Sequence, residues 1–139
     1  MAGELIDWTA LERFAFGDGP ALADELLALV VAGRKTATCW DAREGQKTTV
    51  GQRWVVEDGA GKPRAVIETA ELFQARFDAV EAQFAFDEGE DDRSLASWRR
   101  NHETYFTRLG GFAPNMLLWC ERFRLVAVIG EDGVARSVA

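Results

Sequence analysis

The chain holds one histidine, His102, and two cysteines, Cys39 and Cys120. A lone histidine excludes metal centres built from several imidazoles. Two cysteines outside a C-x-x-C pair are too few for a disulfide framework. No apolar run approaches the roughly twenty residues needed to span a bilayer, and no basic-then-apolar leader opens the chain. Walker loops, dinucleotide fingerprints, metal-ligand spacings and internal repeats are absent too, and Gly17-Asp18-Gly19 is too short for a phosphate loop. These absences predict a soluble, cytoplasmic protein with reduced thiols, no metal and no cofactor. Basic residues are in the minority, 16 against 23 acidic, for a net charge of −7. Such a chain repels phosphate backbones at long range, so long duplex DNA is not an expected partner.

What is present suits one domain of 139 residues, long enough for a real core, with nine Phe and five Trp to fill it. Much of the acid is local, in Asp87-Glu88-Gly89-Glu90-Asp91-Asp92. Arg34, Lys35, Arg43, Lys47 and Arg53 crowd another region with few acids between them. That balance favours a small nucleoside or nucleotide over a long polymer, with RNA kept as an alternative. The oligomeric state is not legible.

Residues 5–16 are expected to form a short helix. Asp18-Gly19-Pro20 is a helix start, since Asp can cap and Pro suits the first turn. Leu22, Leu26, Leu29 and Val30 then recur at helical spacing up to Val31. Residues 36–40 are threonine-rich and predict a strand, and 41–49 a loop. Residues 53–57 and 64–72 predict a hairpin around Asp58-Gly59-Ala60-Gly61. Asp78-Ala79-Val80-Glu81 fits a capping box before a short helix. Ser94 starts another helix, with Leu95, Trp98, His102 and Tyr105 on one side and Gly110-Gly111 at its end. Residues 116–129 suit one long strand or two shorter ones, interrupted by Glu121, Arg122 and Arg124. Residues 130–139 are expected to fray. Helices of unequal length between strands do not follow a βαβ rhythm. The prediction is α+β, with a small mixed or barrel-like sheet and helices on its rim.

The chemistry concentrates in Gly33-Arg34-Lys35-Thr36-Ala37-Thr38, just past the first strongly periodic helix. Glycine suits a helix exit because it tolerates the left-handed conformation. A lysine near a threonine there is either an anion clamp or part of an activated nucleophile pair. On a regular strand residues three apart point to opposite faces, so Lys35 and Thr38 converge only if the backbone turns between them.

Gly33-x-Lys35-x-x-Thr38 resembles the signature of the ASCH domain family, small β-barrel proteins related to the PUA-like RNA-binding barrels. Gly51-Gln52-Arg53 leading into a strand strengthens the likeness. So does Glu88-Gly89-Glu90-Asp91-Asp92-Arg93-Ser94-Leu95 followed by Trp98-Arg99-Arg100-Asn101-His102, which is similar to the acidic loop and helix of one bacterial branch. The resemblance covers nearly all of residues 18–129 and implies a single ASCH-like domain with a PUA-like barrel. Where the family signature carries an arginine, two residues after the threonine, this chain has Trp40.

The resemblance implies amide hydrolysis on an acylated nucleoside such as acetylcytidine, with a Lys, a Thr and a Glu. By motif these are Lys35 and Thr38, with Glu90 closest to the glutamate position and Glu88 next. Gly33, Arg34, Trp40 and Arg53 border the expected substrate site, and Trp40 could stack on a base. The alternatives implied are a non-catalytic RNA-binding module and a metal-independent ribonuclease. In the hydrolase, Lys35 would be the base, Thr38 the nucleophile, and a glutamate the proton-handling group. A lysine base must be neutral. Burial favours that form, while a nearby carboxylate opposes it. His102, beside Trp98 and Tyr105, is expected to be structural. Cys39 and Cys120 are expected to be small buried apolar residues.

Overall fold

Two long strands, β5 (Pro63–Arg76) and β6 (Leu117–Ile129), pair antiparallel along most of their length in the computed structural model, which describes residues 3–138. β4 (Arg53–Glu57) folds back on the first half of β5, giving the expected hairpin. β2 (Glu12–Phe14) adds to β4 in parallel. On the far edge of β6, β3 (Ala37–Asp41) pairs with its N-terminal half and β7 (Ala135–Ser137) with its C-terminal half. β1 (Leu5–Ile6) closes that edge on β7. The sheet curls into a half-barrel carrying three helices, α1 (Pro20–Val31), α2 (Ala82–Glu88) and α3 (Leu95–Arg108). The α+β class and PUA-like architecture predicted above are what the chain adopts. No helix among the described residues is long and apolar enough to cross a membrane.

Each helix buries the stripe that its sequence periodicity supplies. Ala23, Leu26, Leu27 and Val30 of α1 lie three or four residues apart, and the leucines and valine press on Phe16, Val56, Ile67 and Phe123. Burial of such a side chain contributes about 1.5–3 kcal/mol. α2 and α3 pack Phe84, Trp98 and Phe106 against Phe77, Leu118 and Cys120. Val55, Val66, Val126 and Ile129 fill the opposite end, under Ala135 of β7. Ser94 caps α3, its hydroxyl accepting from the Ser97 amide at 3.1 Å.

Three expectations are corrected. Residues 5–16 hold β1 and β2 rather than a helix, because each strand finds a partner distant in sequence, β7 and β4. In residues 130–139, expected to fray, β7 pairs with both β6 and β1, and residue 139 lies outside the described residues. The expected capping box does not form. Residues 77–79 make a 3-10 turn, Asp78 pairs with Arg76 at 2.7 Å, and α2 starts after Glu81 without a side-chain cap.

Candidate active site

Gly33 leaves α1 at φ 76°. The Arg34 and Lys35 amides both donate back to Leu29 O, at 2.9 and 3.1 Å. Thr36 then donates to Asp87 O at 2.8 Å, and its own carbonyl accepts from the Phe123 amide at 2.9 Å. The strand begins only at Ala37. The backbone therefore turns between Lys35 and Thr38, which meets the requirement for their convergence. Both line one cavity.

The acidic segment reaches the same place through Gly89. This residue ends α2 in the left-handed region at φ 74°, and a side chain there would strike the Arg34 carbonyl. Arg34 locks the approach, donating to Gly89 O at 2.8 Å and Asp91 O at 2.7 Å. Arg93 lies over the Phe86 ring at 3.6 Å and donates to Arg34 O at 3.2 Å.

Between these segments Lys35 is 2% exposed. Its Nζ donates to Ala37 O at 2.8 Å, Glu88 Oε1 at 3.2 Å and Glu90 Oε2 at 2.8 Å. Burial works against the ammonium, but the Glu88 and Glu90 charges outweigh it and hold Lys35 above its ordinary range. This pairing favours the ammonium, whereas a lysine acting as general base must be neutral. Glu88 Oε2 accepts from Trp98 Nε1 at 2.7 Å and faces His102 Nε2 at 3.4 Å. Burial pushes the Glu88 carboxyl up, yet His102 and Lys35 bring it well below the usual carboxylate range. Burial likewise favours neutral His102, and Glu88 overrides it, so the imidazole lies above its ordinary value. The His102 ring stacks on Trp98, with centroids 4.3 Å apart.

The cavity beside these charges, about 470 Å³, adjoins a second of about 520 Å³. Thr38, Cys39, Phe16 and Tyr105 line both. The second lobe is aromatic, with Phe14, Trp40 and Trp54, and contains Glu121. Trp40 is half-buried there. Its Nε1 donates to Gly45 O at 2.8 Å, and Lys47 Nζ sits 5.7 Å from the ring. The Thr38 hydroxyl has no hydrogen-bond partner among the described residues.

Lys35, Thr38, Glu88 and Glu90 thus border one lobe, and Trp40 borders its neighbour. Gly33 and Arg34 line neither lobe and serve the turn behind Lys35. Arg53 lies elsewhere, paired with Glu68 at 2.9 Å. Sequence reasoning passed over three lining residues, Glu121, Trp54 and Tyr105, and set His102 aside as structural. Glu121 did leave a signal, as a lone acid in an apolar strand. Cys39, Glu88 and His102 place a possible ligand atom each within 4.8 Å of one another, a set a divalent ion could use. Both Glu88 oxygens are already engaged, Oε1 by Lys35 and Oε2 by Trp98 and His102, and burial drives the Cys39 thiol well up.

The ASCH domain model matches residues 12–127. The ASCH domain from Lactobacillus crispatus JV V101 is 31% identical, with 84% of this chain and 80% of that one covered and a TM-score of 0.76. A protein from Enterococcus faecalis V583 is 32% identical over 91% of this chain and 83% of its own, with a TM-score of 0.79. ASCH from Zymomonas mobilis shares the fold, at 10% identity over 88% and 73% of the two chains and a TM-score of 0.56. No match was found among curated proteins.

Proposed function

The chain belongs to the ASCH domain family, a PUA-like fold of the RNA-binding type, and on that premise we propose that it hydrolyses the amide of an acylated nucleoside such as acetylcytidine. One observation carries the reading. The unpartnered Thr38 hydroxyl stands where an aromatic lobe meets a lobe holding a buried ammonium. A planar base stacked near Trp40 would present its acyl group at that junction.

Thr38 Oγ1 is the nucleophile. Lys35 acts as a cation on the acyl oxygen, which gains negative charge in the tetrahedral intermediate. Its three N–H groups are taken by Ala37 O, Glu88 and Glu90. Glu90 is the partner a substrate can displace, because its side chain is 27% exposed against 2% for Glu88. Glu88 keeps the ammonium charged and in place throughout. Two free thiols suit a reducing cytoplasm.

The fold type itself favours a second reading, an RNA-binding module, with ribonuclease action as its catalytic variant. Against a polymer stand the ion pairs that occupy Arg43, Arg53, Arg76, Arg108, Arg122 and Arg124. Phosphate contacts would have to break them. The deciding experiment incubates purified protein with acetylcytidine and, separately, with single-stranded RNA. Cytidine and acetate in the first supports the hydrolase. RNA fragments without deacetylation favour the ribonuclease, and RNA retention with neither product favours the binding module.

A further inference from the structure

Glu121 sits on β6 directly opposite Thr38 of β3 in the antiparallel register. Residues paired in this way share one face of the sheet, with Cβ atoms about 4.5–5.5 Å apart. Both line the aromatic lobe. Glu121 is only 6% exposed, and one of its oxygens is anchored: Oε2 accepts from Thr69 Oγ1 at 2.7 Å. Thr69 in turn shares a hydrogen bond with Thr48 Oγ1 at 2.9 Å, and Thr48 accepts from Trp54 Nε1 at 2.9 Å. This chain orients the carboxyl. The other oxygen, Oε1, has no partner among the described residues. No buried side-chain polar atom there lacks one, so Oε1 opens onto the cavity.

We infer that Glu121 is the proton-transferring carboxylate of this site, taking the Thr38 hydroxyl proton and returning it to the leaving amine. The inference rests on the amide-hydrolase reading above. Glu88 and Glu90 are less suited. Both are bonded to Lys35, and Glu88 is held ionised, which makes it a weak base. Burial pushes the Glu121 carboxyl up, the Thr69 bond and the Lys35 charge pull it down, and it ends above its ordinary value of 4.5. That shift moves a carboxylate toward the acidity a general base needs. Thr69 from β5 and Lys35 from the helix exit act on it, and Thr38 from β3, Lys47 from the loop after β3 and Tyr105 from α3 line the same lobe.

The protons balance through the cycle. The bond from Thr38 Oγ1 to the acyl carbon forms as the hydroxyl proton moves to Glu121 Oε1, directly or through one water. The oxyanion faces Lys35. The carbon–nitrogen bond then breaks as Glu121 gives its proton to the amine, leaving an acyl ester on Thr38. Water attacks the ester and hands a proton to Glu121. As the ester bond breaks, that proton restores the Thr38 hydroxyl and the carboxylic acid departs.

The test compares wild type, Glu121→Gln and Thr69→Val, each checked by thermal melting, on acetylcytidine. The glutamine keeps the acceptor for Thr69 but cannot take a proton. Glu121→Gln is expected to lower the single-turnover rate at least ~100-fold with the dissociation constant unchanged. Thr69→Val removes a bond that favours the carboxylate, so the acid limb of its rate profile is expected to move to higher pH. A Glu121→Gln rate near wild type overturns the inference, as does an unmoved acid limb in Thr69→Val. If Glu121→Gln does not fold, the Thr69→Val profile decides. Wild type that releases no cytidine takes down the hydrolase reading and this inference together. An active wild type with an equally active Glu121→Gln takes down only the role of Glu121.

Discussion

Glu88 Oε1 lies 3.2 Å from Lys35 Nζ, with both side chains sealed from solvent. Neutralising one partner of such a pair leaves an uncompensated interior charge. Glu88→Gln is expected to cost about 3 kcal/mol, at the low end for buried pairs because Glu90 still faces the ammonium. Replacing both partners with apolar residues, Lys35→Met with Glu88→Leu, is expected to recover much of that loss while abolishing deacetylation. Urea unfolding of the single and double variants checks the first part. If the double variant stays as unstable as the single, the pair is not the source of the loss.

Stability should fall as pH rises past neutrality. The folded protein holds the His102 proton more tightly than the unfolded chain, whose value is near 6.5. Between the two values the native state binds more protons, so the unfolding free energy declines with pH. The contribution is complete below the unfolded value and is lost as pH climbs through the folded one. His102→Gln cannot titrate and should lose this slope. Chemical denaturation of both proteins from pH 6 upward measures it, and parallel curves would contradict the assignment.

Trp40 lines the aromatic lobe and is half-buried. Trp40→Ala is expected to weaken nucleoside binding by about 1–3 kcal/mol, the range for base stacking on an aromatic ring. Its stability cost should fall below the roughly 3–5 kcal/mol of a core tryptophan. Calorimetric binding and a melting curve on one preparation separate these effects.

Gly89→Ala should be worse than Gly110→Ala, although both glycines have positive φ, 74° and 87°. A side chain at 110 meets nothing within 4 Å, whereas one at 89 meets the Arg34 backbone. Gly110→Ala is expected to cost only left-handed strain, of order 1 kcal/mol. Gly89→Ala is expected to cost more and to push the acidic loop off Lys35, lowering activity beyond what its stability explains. Equal melting temperatures for the two would refute the close approach.

Local signals carried well wherever the chain decides its structure within a few residues. The Asp58–Gly61 turn, the Ser94 cap and the periodic leucines of α1 needed no distant partner. Residues 5–16 misled because their apolar positions suit either period until β7 and β4 supply a ladder. The same holds for residues 135–137, whose strand forms between β6 and β1.

For the candidate site, sequence alone determined the components: a lysine and threonine at a glycine-marked helix exit, an acidic run directly after Phe86, and one acid in an apolar strand. Which of them meet was decided by tertiary structure. The Gly89 approach brings Glu88 and Glu90 within 3.2 Å of an ammonium some fifty residues away, and β3–β6 register sets Glu121 across from Thr38. It also decided the charge on Lys35. Burial and ion pairing act in opposite directions on one amine, and only the positions of two carboxylates say which prevails.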